Sequence, residues 1–240
     1  MNEEKYSENK IATSNSKFLK WLDNYWYHYK WPTIVVAFFV VVIGVCLIQS
    51  ITTEKKDILI TYAGPTQVAP DDAAAIERIF NENLPEGYGN RGVDGKSGLI
   101  SYIIYSKDQI KELEQEKKMV DTKFNSDQYS TLNSQYRAGN GSIYLLDRWL
   151  YDEILKDNEN VARLKPLKEV FGERPTGSVD AYGIRLGDTE IYQNNPELHV
   201  LPEDTIICMH EKIVGQKNYG KEIDAFRNIA KIAAVSNDEE

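Results

Sequence analysis

The sequence predicts an α/β domain that follows a single N-terminal transmembrane helix, and three observations carry this prediction. Residues 31–53 of the 240-residue chain contain no charged side chain and are almost wholly apolar. Beyond them, short runs of β-branched residues alternate with segments whose apolar residues recur at helical spacing. Hydrophobic residues make up 42% of the chain and charged residues 27%, a composition that is typical of folded proteins and excludes wholesale disorder.

The apolar run has the length of a membrane-spanning helix. Residues 33–51 would form a helix about 28 Å long, close to the thickness of the hydrocarbon core of a bilayer. A buried core strand or helix is the alternative, but such elements usually have half this length. We therefore expect a transmembrane helix at 32–53 and a cytoplasmic tail at 1–16.

The charges that flank the apolar run predict its orientation. Lys10, Lys17, Lys20 and Lys30 precede the run, and only Lys55 and Lys56 follow it closely. Because lysine and arginine are enriched on the cytoplasmic side, we expect a single-pass protein of the cell membrane with its N-terminus in the cytoplasm. The long polar segment before the run favours an uncleaved anchor over a secretory signal.

An aromatic segment at 17–31 precedes the predicted span. Its rings could stack on a ligand, but beside a spanning helix they are typical of an interfacial belt. We expect this segment to lie in the headgroup plane until Pro32 lets the chain turn into the bilayer. The residues predicted to lie at the membrane interface are Trp21, Tyr25, Trp26, Tyr29 and Trp31.

Residues 54–235 are predicted to form an extracytoplasmic domain, with a disordered tail at 236–240. Beyond residue 53 the chain carries 23 basic and 33 acidic residues. This acidic balance excludes a nucleic-acid partner, because phosphate binding requires clustered lysines and arginines. Cys46 lies in the predicted span and Cys208 in the domain, so the two thiols cannot form a disulfide.

The first half of the domain alternates strand and helix, which is typical of α/β layers. Residues 57–62 are rich in β-branched side chains, and 70–84 combine an acidic first turn with one apolar face. Residues 99–105 predict a second strand, and 107–119, with eight charged side chains, an exposed helix. We expect a three-layer α/β domain.

The second half is predicted to continue this pattern and then to change. The expected elements are a helix at 126–137, a strand at 142–146, a helix at 149–156, a strand at 204–214 and a helix at 220–234. Between the last two of these helices, residues 179–186 and 189–192 flank Gly187 and Asp188, which is the pattern of a β-hairpin.

The glycine-rich stretch GYGNRGVDGKSG at 87–98 matches the letters of a dinucleotide-binding fingerprint. That fingerprint binds a pyrophosphate when it follows a strand and opens a helix, whereas this stretch is expected to follow a helix and precede a strand. Asn90 stands where a phosphate-binding P-loop has its first glycine. The sequence therefore argues against a nucleotide and favours a mobile loop that exposes Arg91 and Lys96.

Catalytic and metal-binding arrangements are not visible in the sequence. His28, His199 and His210 lack the spacing to one another or to cysteine that metal sites use. Cys208 and His210 lie two residues apart on a predicted strand, which favours a buried structural cysteine over an activated nucleophile. We expect no cofactor, no bound metal and no enzymatic activity.

The segment LNSQYRAGNGSIYLLDRWLYDEILKDNENVARLKPLKEVF at 132–171 resembles part of the bacterial extracellular solute-binding proteins of the type II periplasmic-binding fold. The shared features are a helix that ends at Gly139, a strand that leads to Asp147, a following helix, and the phrase Leu-Lys-Pro-Leu at 164–167. The phrase AYGIRL at 181–186 is similar to the crossover strand of that family. The resemblance implies one lobe, or a reduced form, of the periplasmic-binding fold.

This resemblance implies a non-enzymatic binding or accessory module for a small solute or peptide. Its ligand would lie at strand ends, on Gly64, Pro65 and Thr66 after the first strand and on Asp147 and Arg148 after the third. The chain is shorter than the two-lobed members of the family. The alternative is therefore a structural or scaffolding subunit of a membrane complex, whose partners are the lipid bilayer and other subunits.

Overall fold

The computed structural model describes residues 17–52, 56–88, 95–213, 216 and 219–233. The chain divides into two compact units, Met1–Glu54 and Lys55–Glu240. The tails expected at 1–16 and 236–240 lie outside the described residues.

The described part of the first unit is one helix, α1, at Lys17–Thr52. This helix continues through Pro32, so the expected turn at that residue is wrong. Proline removes one backbone hydrogen bond from a helix, and here the hydroxyl groups of Tyr25 and Thr33 lie 3.0 Å apart and hydrogen-bond across the proline. Within α1, Asn24–Gln49 is long and apolar enough to cross a membrane, and it begins eight residues before the predicted span.

The five aromatic residues expected at the membrane interface lie on α1 and are exposed. Trp21 stacks on Tyr25 with ring centroids 5.7 Å apart, and Tyr25 stacks on Tyr29 at 5.3 Å. Their four-residue spacing places these three rings on one face of the helix. The structure thus joins them in an aromatic stripe that belongs to the same helix as the apolar span.

The second unit is a mixed α/β domain. Its strands are β1 (Ile58–Gly64), β2 (Ser97–Ile103), β3 (Ile143–Leu146), β4 (Gly183–Arg185) and β5 (Ile206–Met209). Its α-helices are α2 (Pro70–Glu82), α3 (Lys107–Gln115), α4 (Thr122–Ala138), α5 (Arg148–Lys156), α6 (Asn158–Val161), α7 (Leu167–Phe171), α8 (Glu190–Asn194) and α9 (Tyr219–Ile229). Within the described residues, 3-10 helices lie at Leu186–Asp188 and Pro196–Val200.

Local signals fix the ends of the helices around the sheet. Pro70 stands at the start of α2, where a missing N–H costs nothing. Ser106 and Gln109 form a reciprocal capping box at the start of α3, and the side chain of Asp121 caps α4. Gly139 ends α4 with φ 67°, a left-handed conformation that favours glycine.

The five strands form one sheet in the order β2-β1-β3-β5-β4. β1 is parallel to both β2 and β3, whereas β5 is antiparallel to β3 and β4. The chain therefore proceeds from β1 to β2 on one side and then crosses to β3 on the other side of β1. Because the chain crosses over in this way, β1 and β3 are parallel neighbours, and their carboxyl ends lie side by side.

Helices cover both faces of the sheet, so the expected α/β layering is confirmed. Successive side chains of β5 alternate between two core clusters: Ile207 belongs to one and Cys208 to the other. The first cluster includes buried residues of α2, α7 and α9, such as Phe80 and Phe226. The second includes buried residues of α4 and α5, such as Tyr136.

The hairpin expected around Gly187 and Asp188 is wrong. β4 pairs with β5, which lies further along the chain, and the segment after β4 forms a 3-10 turn and then α8. The Thr189 hydroxyl accepts the Tyr192 N–H over 3.3 Å and caps α8. Arg185 closes the turn through an ion pair with Asp188 at 2.6 Å.

The glycine-rich stretch joins a helix to a strand, as predicted. α2 precedes it and β2 begins at its end, so the order that a dinucleotide fingerprint needs is reversed. Residues 89–94, with Arg91, lie outside the described residues. Lys96 is half-buried rather than exposed, and its N–H donates to the Asp57 carboxylate over 3.1 Å.

Candidate functional site

Two of the predicted ligand-binding residues become neighbours where the strand order reverses. Ala63 of β1 pairs with Leu146 of β3, and the Asp147 N–H donates to the Ala63 carbonyl oxygen over 2.8 Å. Gly64 and Asp147 therefore lie side by side at the carboxyl ends of their strands. In open α/β sheets this is the place where ligands bind.

The space at Gly64 is filled by the domain itself. A Cβ at this position would lie 2.6 Å from the Tyr62 hydroxyl oxygen and 3.3 Å from the Asp147 Cβ. The same hydroxyl oxygen accepts the Thr66 N–H over 3.3 Å, and the Tyr62 side chain is fully buried. Tyr62 thus holds the loop after β1 against the end of its strand.

Asp147 is engaged as a helix cap. One of its carboxylate oxygens accepts the Trp149 N–H over 3.0 Å, and the other accepts from the Gln109 amide over 3.4 Å. Burial raises the pKa of Asp147 above its usual value, and the charges of Asp204 and Asp152 add to the rise, whereas the two hydrogen bonds oppose it. This edge of the sheet is therefore electrostatically unfavourable for an anionic solute.

Arg148 and Pro65 are not drawn into this arrangement. Arg148 is exposed on α5 and its guanidinium pairs with the Asp152 carboxylate over 3.0 Å. Pro65 is half-buried in the loop that Tyr62 closes. Of the five predicted residues, the structure thus brings Gly64 and Asp147 into contact and leaves Arg148 in an ion pair on the helix surface.

A larger opening lies beside this point, at the carboxyl end of β2. It is an apolar pocket of about 270 Å³ between β2, α3 and the start of α4. Met119 is 100% exposed at this pocket and Phe124 is 49% exposed. The lining residues are Ile103, Tyr105, Leu113, Lys118, Met119, Val120, Asp121, Phe124 and Asn125.

The charged groups that line the apolar pocket already have partners. The Lys118 ammonium pairs with the Glu116 carboxylate over 2.8 Å. The Asp121 carboxylate accepts the Phe124 N–H over 2.9 Å as the cap of α4. Binding in this pocket would therefore depend on shape and apolar contact, with neutral polar groups at Tyr105 and Asn125.

Sequence reasoning did not predict the apolar pocket. Residues 107–119 were expected to form one exposed helix, but α3 ends at Gln115 and Lys117 has φ 62°. The chain therefore leaves the helix before Met119. A signal was present, because Met119 and Val120 interrupt a strongly charged stretch and Phe124 follows them at the start of α4.

Cys208 is buried, as expected for a structural cysteine, and His210 is buried as well. Cys208 is fully buried on β5, and burial raises the pKa of its thiol. The His210 ring nitrogens lie 2.7 Å from the Glu211 carbonyl oxygen and 3.0 Å from the Tyr136 carbonyl oxygen. Within the described parts of the chain, no three His, Cys, Asp or Glu residues are grouped so that they could hold a metal ion.

A second cavity, of about 20 Å³, lies under α4 and α5 and has room for a single water molecule. The Asn160 amide oxygen at this cavity is buried without a hydrogen-bond partner. The cavity is too small for a solute. Comparison of the chain with protein-family models, with curated protein sequences and with solved structures finds no match.

Proposed function

We propose that the chain is a single-pass membrane protein whose extracytoplasmic domain is a non-enzymatic binding module, with the apolar pocket beside β2 as its ligand site. The ligand is a small solute or a peptide that presents one apolar group. The observation that carries this proposal is the volume of the pocket, about 270 Å³, which is just below the range of about 300–1,000 Å³ for drug-sized ligands and suits a single small apolar group.

The exposure of Met119 and Phe124 supports this assignment. Large apolar side chains gain about 25 cal/mol for each Å² that is removed from water. Met119 is entirely exposed and Phe124 is about half exposed, so an apolar group in the pocket would cover surface that the domain itself leaves in water. A ligand without an apolar group would gain little here, because the charged lining groups are already paired.

The strand-end residues implied by the resemblance have a different role in this proposal. A mixed sheet with helices on both faces is compatible with one lobe of a periplasmic-binding fold. Gly64 and Asp147, however, are occupied by Tyr62 and by the cap of α5. We therefore assign the ligand to the apolar pocket and a structural role to the junction of β1 and β3.

The proposed location rests on α1. Its apolar segment at Asn24–Gln49 supports an uncleaved anchor in the cell membrane, and the excess of lysines before it supports a cytoplasmic N-terminus. A cysteine introduced as Lys212→Cys in a chain with Cys46→Ala and Cys208→Ser tests this orientation. We expect a membrane-impermeant maleimide to label it on intact cells, whereas labelling only after lysis would reverse the orientation.

A scaffolding role remains the second candidate, and the aromatic stripe of α1 favours it. The stacked rings of Trp21, Tyr25 and Tyr29 form an exposed face that another membrane helix could cover. Replacing these three residues by leucine would reduce co-purification of membrane partners if the chain is a scaffold. The same replacement would leave ligand binding by the domain unchanged.

The binding role is tested by the melting temperature of the full-length chain in lipid nanodiscs. Indole, leucinamide, phenylalaninamide and a polar control sugar are added in turn. A ligand at a concentration 100 times its Kd stabilises by about 2.7 kcal/mol, which raises the Tm of a domain of this size by about 5–10 °C.

Two variants make this test specific to the pocket. Phe124→Ser alters the pocket wall and should abolish the rise, whereas Ile100→Ser changes an exposed apolar residue of β2 outside the lining and should retain it. The proposal is wrong if no apolar compound raises the melting temperature. It is also wrong if the rise is the same in the Phe124→Ser chain.

A further inference from the structure

β2 forms one edge of the sheet, and its backbone groups alternate between two directions. The Ile104 N–H donates to the Gly64 carbonyl oxygen over 2.9 Å, and the Lys96 carbonyl oxygen accepts the Asp57 N–H over 2.7 Å. The backbone N–H and C=O groups of the even-numbered residues of β2 therefore point towards β1. Backbone N–H and C=O groups of successive residues in a parallel strand point alternately to its two sides. The odd-numbered residues 97–105 therefore direct their N–H groups away from β1.

Side chains cover both ends of this outward row. Near its start, the Ser97 N–H donates to the Asn81 side-chain oxygen over 2.6 Å, and the Leu99 N–H donates to the Glu77 carboxylate over 2.8 Å. Beyond its end, the Tyr105 N–H donates to the Asn125 side-chain oxygen over 2.8 Å. Three of the five outward amides are thus protected in the way that folded proteins protect sheet edges.

The two remaining outward amides belong to Ser101 and Ile103. Among the residues that the structure describes, none accepts a hydrogen bond from the Ser101 or Ile103 N–H. Ser101 is exposed, and its neighbour Ile100 is 37% exposed. The open window of β2, defined as Ser101 to Ile103, therefore offers another backbone the N–H and carbonyl groups of its two odd-numbered residues.

The open window ends at the apolar pocket. Ile103 contributes the last outward amide of the window and also lines the pocket, and Tyr105 lines the pocket immediately after it. A strand paired with the window would extend along β2 towards Met119 and Phe124. Backbone pairing and an apolar side-chain pocket on one continuous surface are the two components of recognition by strand addition.

We propose that β2 binds an extended peptide segment as an additional strand, with its backbone paired at Ser101 and Ile103 and one apolar side chain in the pocket. This inference rests on the proposed function and names the ligand class of the same site. The peptide needs no charge of its own, because the charged groups of the pocket are paired within the domain.

The short window argues against a second copy of this chain as the occupant. Symmetric pairing of two β2 strands would join two residues from each chain, because Asn81, Glu77 and Asn125 occupy the neighbouring positions. A stable dimer needs about 1,200 Å² of buried surface or more. A peptide gains the missing affinity from the side chain that enters the pocket.

The probe is a panel of heptapeptides, acetyl-Lys-Thr-Thr-Xaa-Thr-Thr-Lys-amide, in which Xaa is Leu, Phe, Trp or Ser. Binding to the full-length chain in nanodiscs is measured by fluorescence anisotropy. We expect at least one apolar peptide to bind about tenfold or more tightly than the Ser peptide, because burial of its side chain is the larger contribution. Hydrogen exchange of segment 97–105 should slow when that peptide is added.

Backbone pairing is tested on the peptide and on the protein. N-methylation of alternate amides should weaken binding about tenfold in one frame and leave it unchanged in the other, because only one set of amides faces β2. Ser101→Pro removes an outward donor without removing a bond to β1, and it should weaken binding by about the same factor. Asp127→Ala, an exposed change on α4 outside the lining, should bind as the native chain does.

The possible failures are distinguishable. Equal sensitivity to methylation in both frames, or unchanged binding by a folded Ser101→Pro chain, would overturn strand addition. If the chain forms a dimer without peptide and hydrogen exchange at 101–103 is slow in that dimer, a second copy of the chain covers β2 and the peptide proposal is wrong. If indole raises the melting temperature and no peptide binds, strand addition is wrong and the pocket proposal stands; if neither binds, both are wrong.

Discussion

His210 is expected to make the stability of the domain dependent on pH. Its ring is buried, and each ring nitrogen lies within hydrogen-bond distance of a backbone carbonyl oxygen, that of Tyr136 or that of Glu211. A neutral imidazole has one N–H and can satisfy only one of these acceptors. Burial nevertheless dominates and, together with the nearby charge of Arg163, lowers the pKa of His210 below its usual value, against the two hydrogen bonds and the charge of Glu211.

The sign of the effect follows from this lowered pKa. The unfolded chain, in which histidine titrates at about 6.5, binds a proton more readily than the folded chain does. The contribution of His210 to the free energy of unfolding is therefore complete above about pH 6.5 and is lost as the pH falls below it. A single proton limits the loss to about 1.4 kcal/mol for each pH unit.

The perturbation is His210→Gln, which keeps one N–H donor for the Tyr136 carbonyl oxygen and removes the titrating group. Urea unfolding of the full-length chain in nanodiscs is followed between about pH 8 and about pH 5 by the fluorescence of Trp149, with the other tryptophans replaced by phenylalanine. We expect the native chain to lose stability relative to the variant as the pH falls. His199→Gln, a change at an exposed ring, should follow the native profile. Parallel profiles for the native chain and His210→Gln would refute the reasoning.

Further predictions concern backbone space, capping and thiol access. Gly64→Ala should destabilise the domain by about 1–3 kcal/mol in urea unfolding, because its Cβ would lie 2.6 Å from the Tyr62 hydroxyl oxygen. Gly220→Ala on α9 has open space around its Cβ and should stabilise the domain by up to about 1 kcal/mol. Equal effects of the two substitutions on the free energy of unfolding would contradict this account. Asp147→Ala should cost about 1 kcal/mol through loss of the α5 cap, whereas Asp147→Asn should cost less; a large loss of peptide binding in either variant would instead make the carboxylate a ligand group. Cys208 should react with maleimide only after unfolding, and rapid labelling of the native chain would contradict its full burial.

Periodicity in the sequence predicted most elements of the domain because the same apolar residues that set the pattern fill the core. On α2, the apolar face contains Ile76, Ile79 and Phe80, and all three are buried. The strand that precedes Asp147 was recognisable as a continuous apolar run, and all four of its residues are buried in the sheet. In these segments local pattern and tertiary packing require the same conformation.

The segment around Gly187 shows where local pattern is insufficient. Alternating apolar residues on both sides of a Gly-Asp pair satisfy the pattern of a hairpin, yet the second arm is a short helix. The partner of β4 is β5, so the pairing that fixes β4 is not local in sequence. The hydroxyl of Thr189 then provides a cap that favours helix after the turn.

The candidate site was predictable only in part, for a similar reason. The resemblance to solute-binding proteins implied a site at the ends of the first and third strands, and Gly64 and Asp147 do lie side by side there. The sequence did not show that Tyr62 would fill the space between them. The apolar pocket depends on contacts between Tyr105 and Asn125, which are 20 residues apart, so no single segment indicates it.

The protection of β2 bears on the choice between a binding module and a scaffold. An uncovered strand edge can pair with any extended chain, and proteins commonly cover such edges or place lysine or proline on them. This chain covers three outward amides through Asn81, Glu77 and Asn125 but has serine, rather than lysine or proline, at the start of the open window. Met119, which is exposed, and Phe124, which is about half exposed, lie next to that opening and add apolar surface whose contact with water is unfavourable. Under the proposed function, one apolar partner would cover both features together, which a scaffold that acts through α1 would not need.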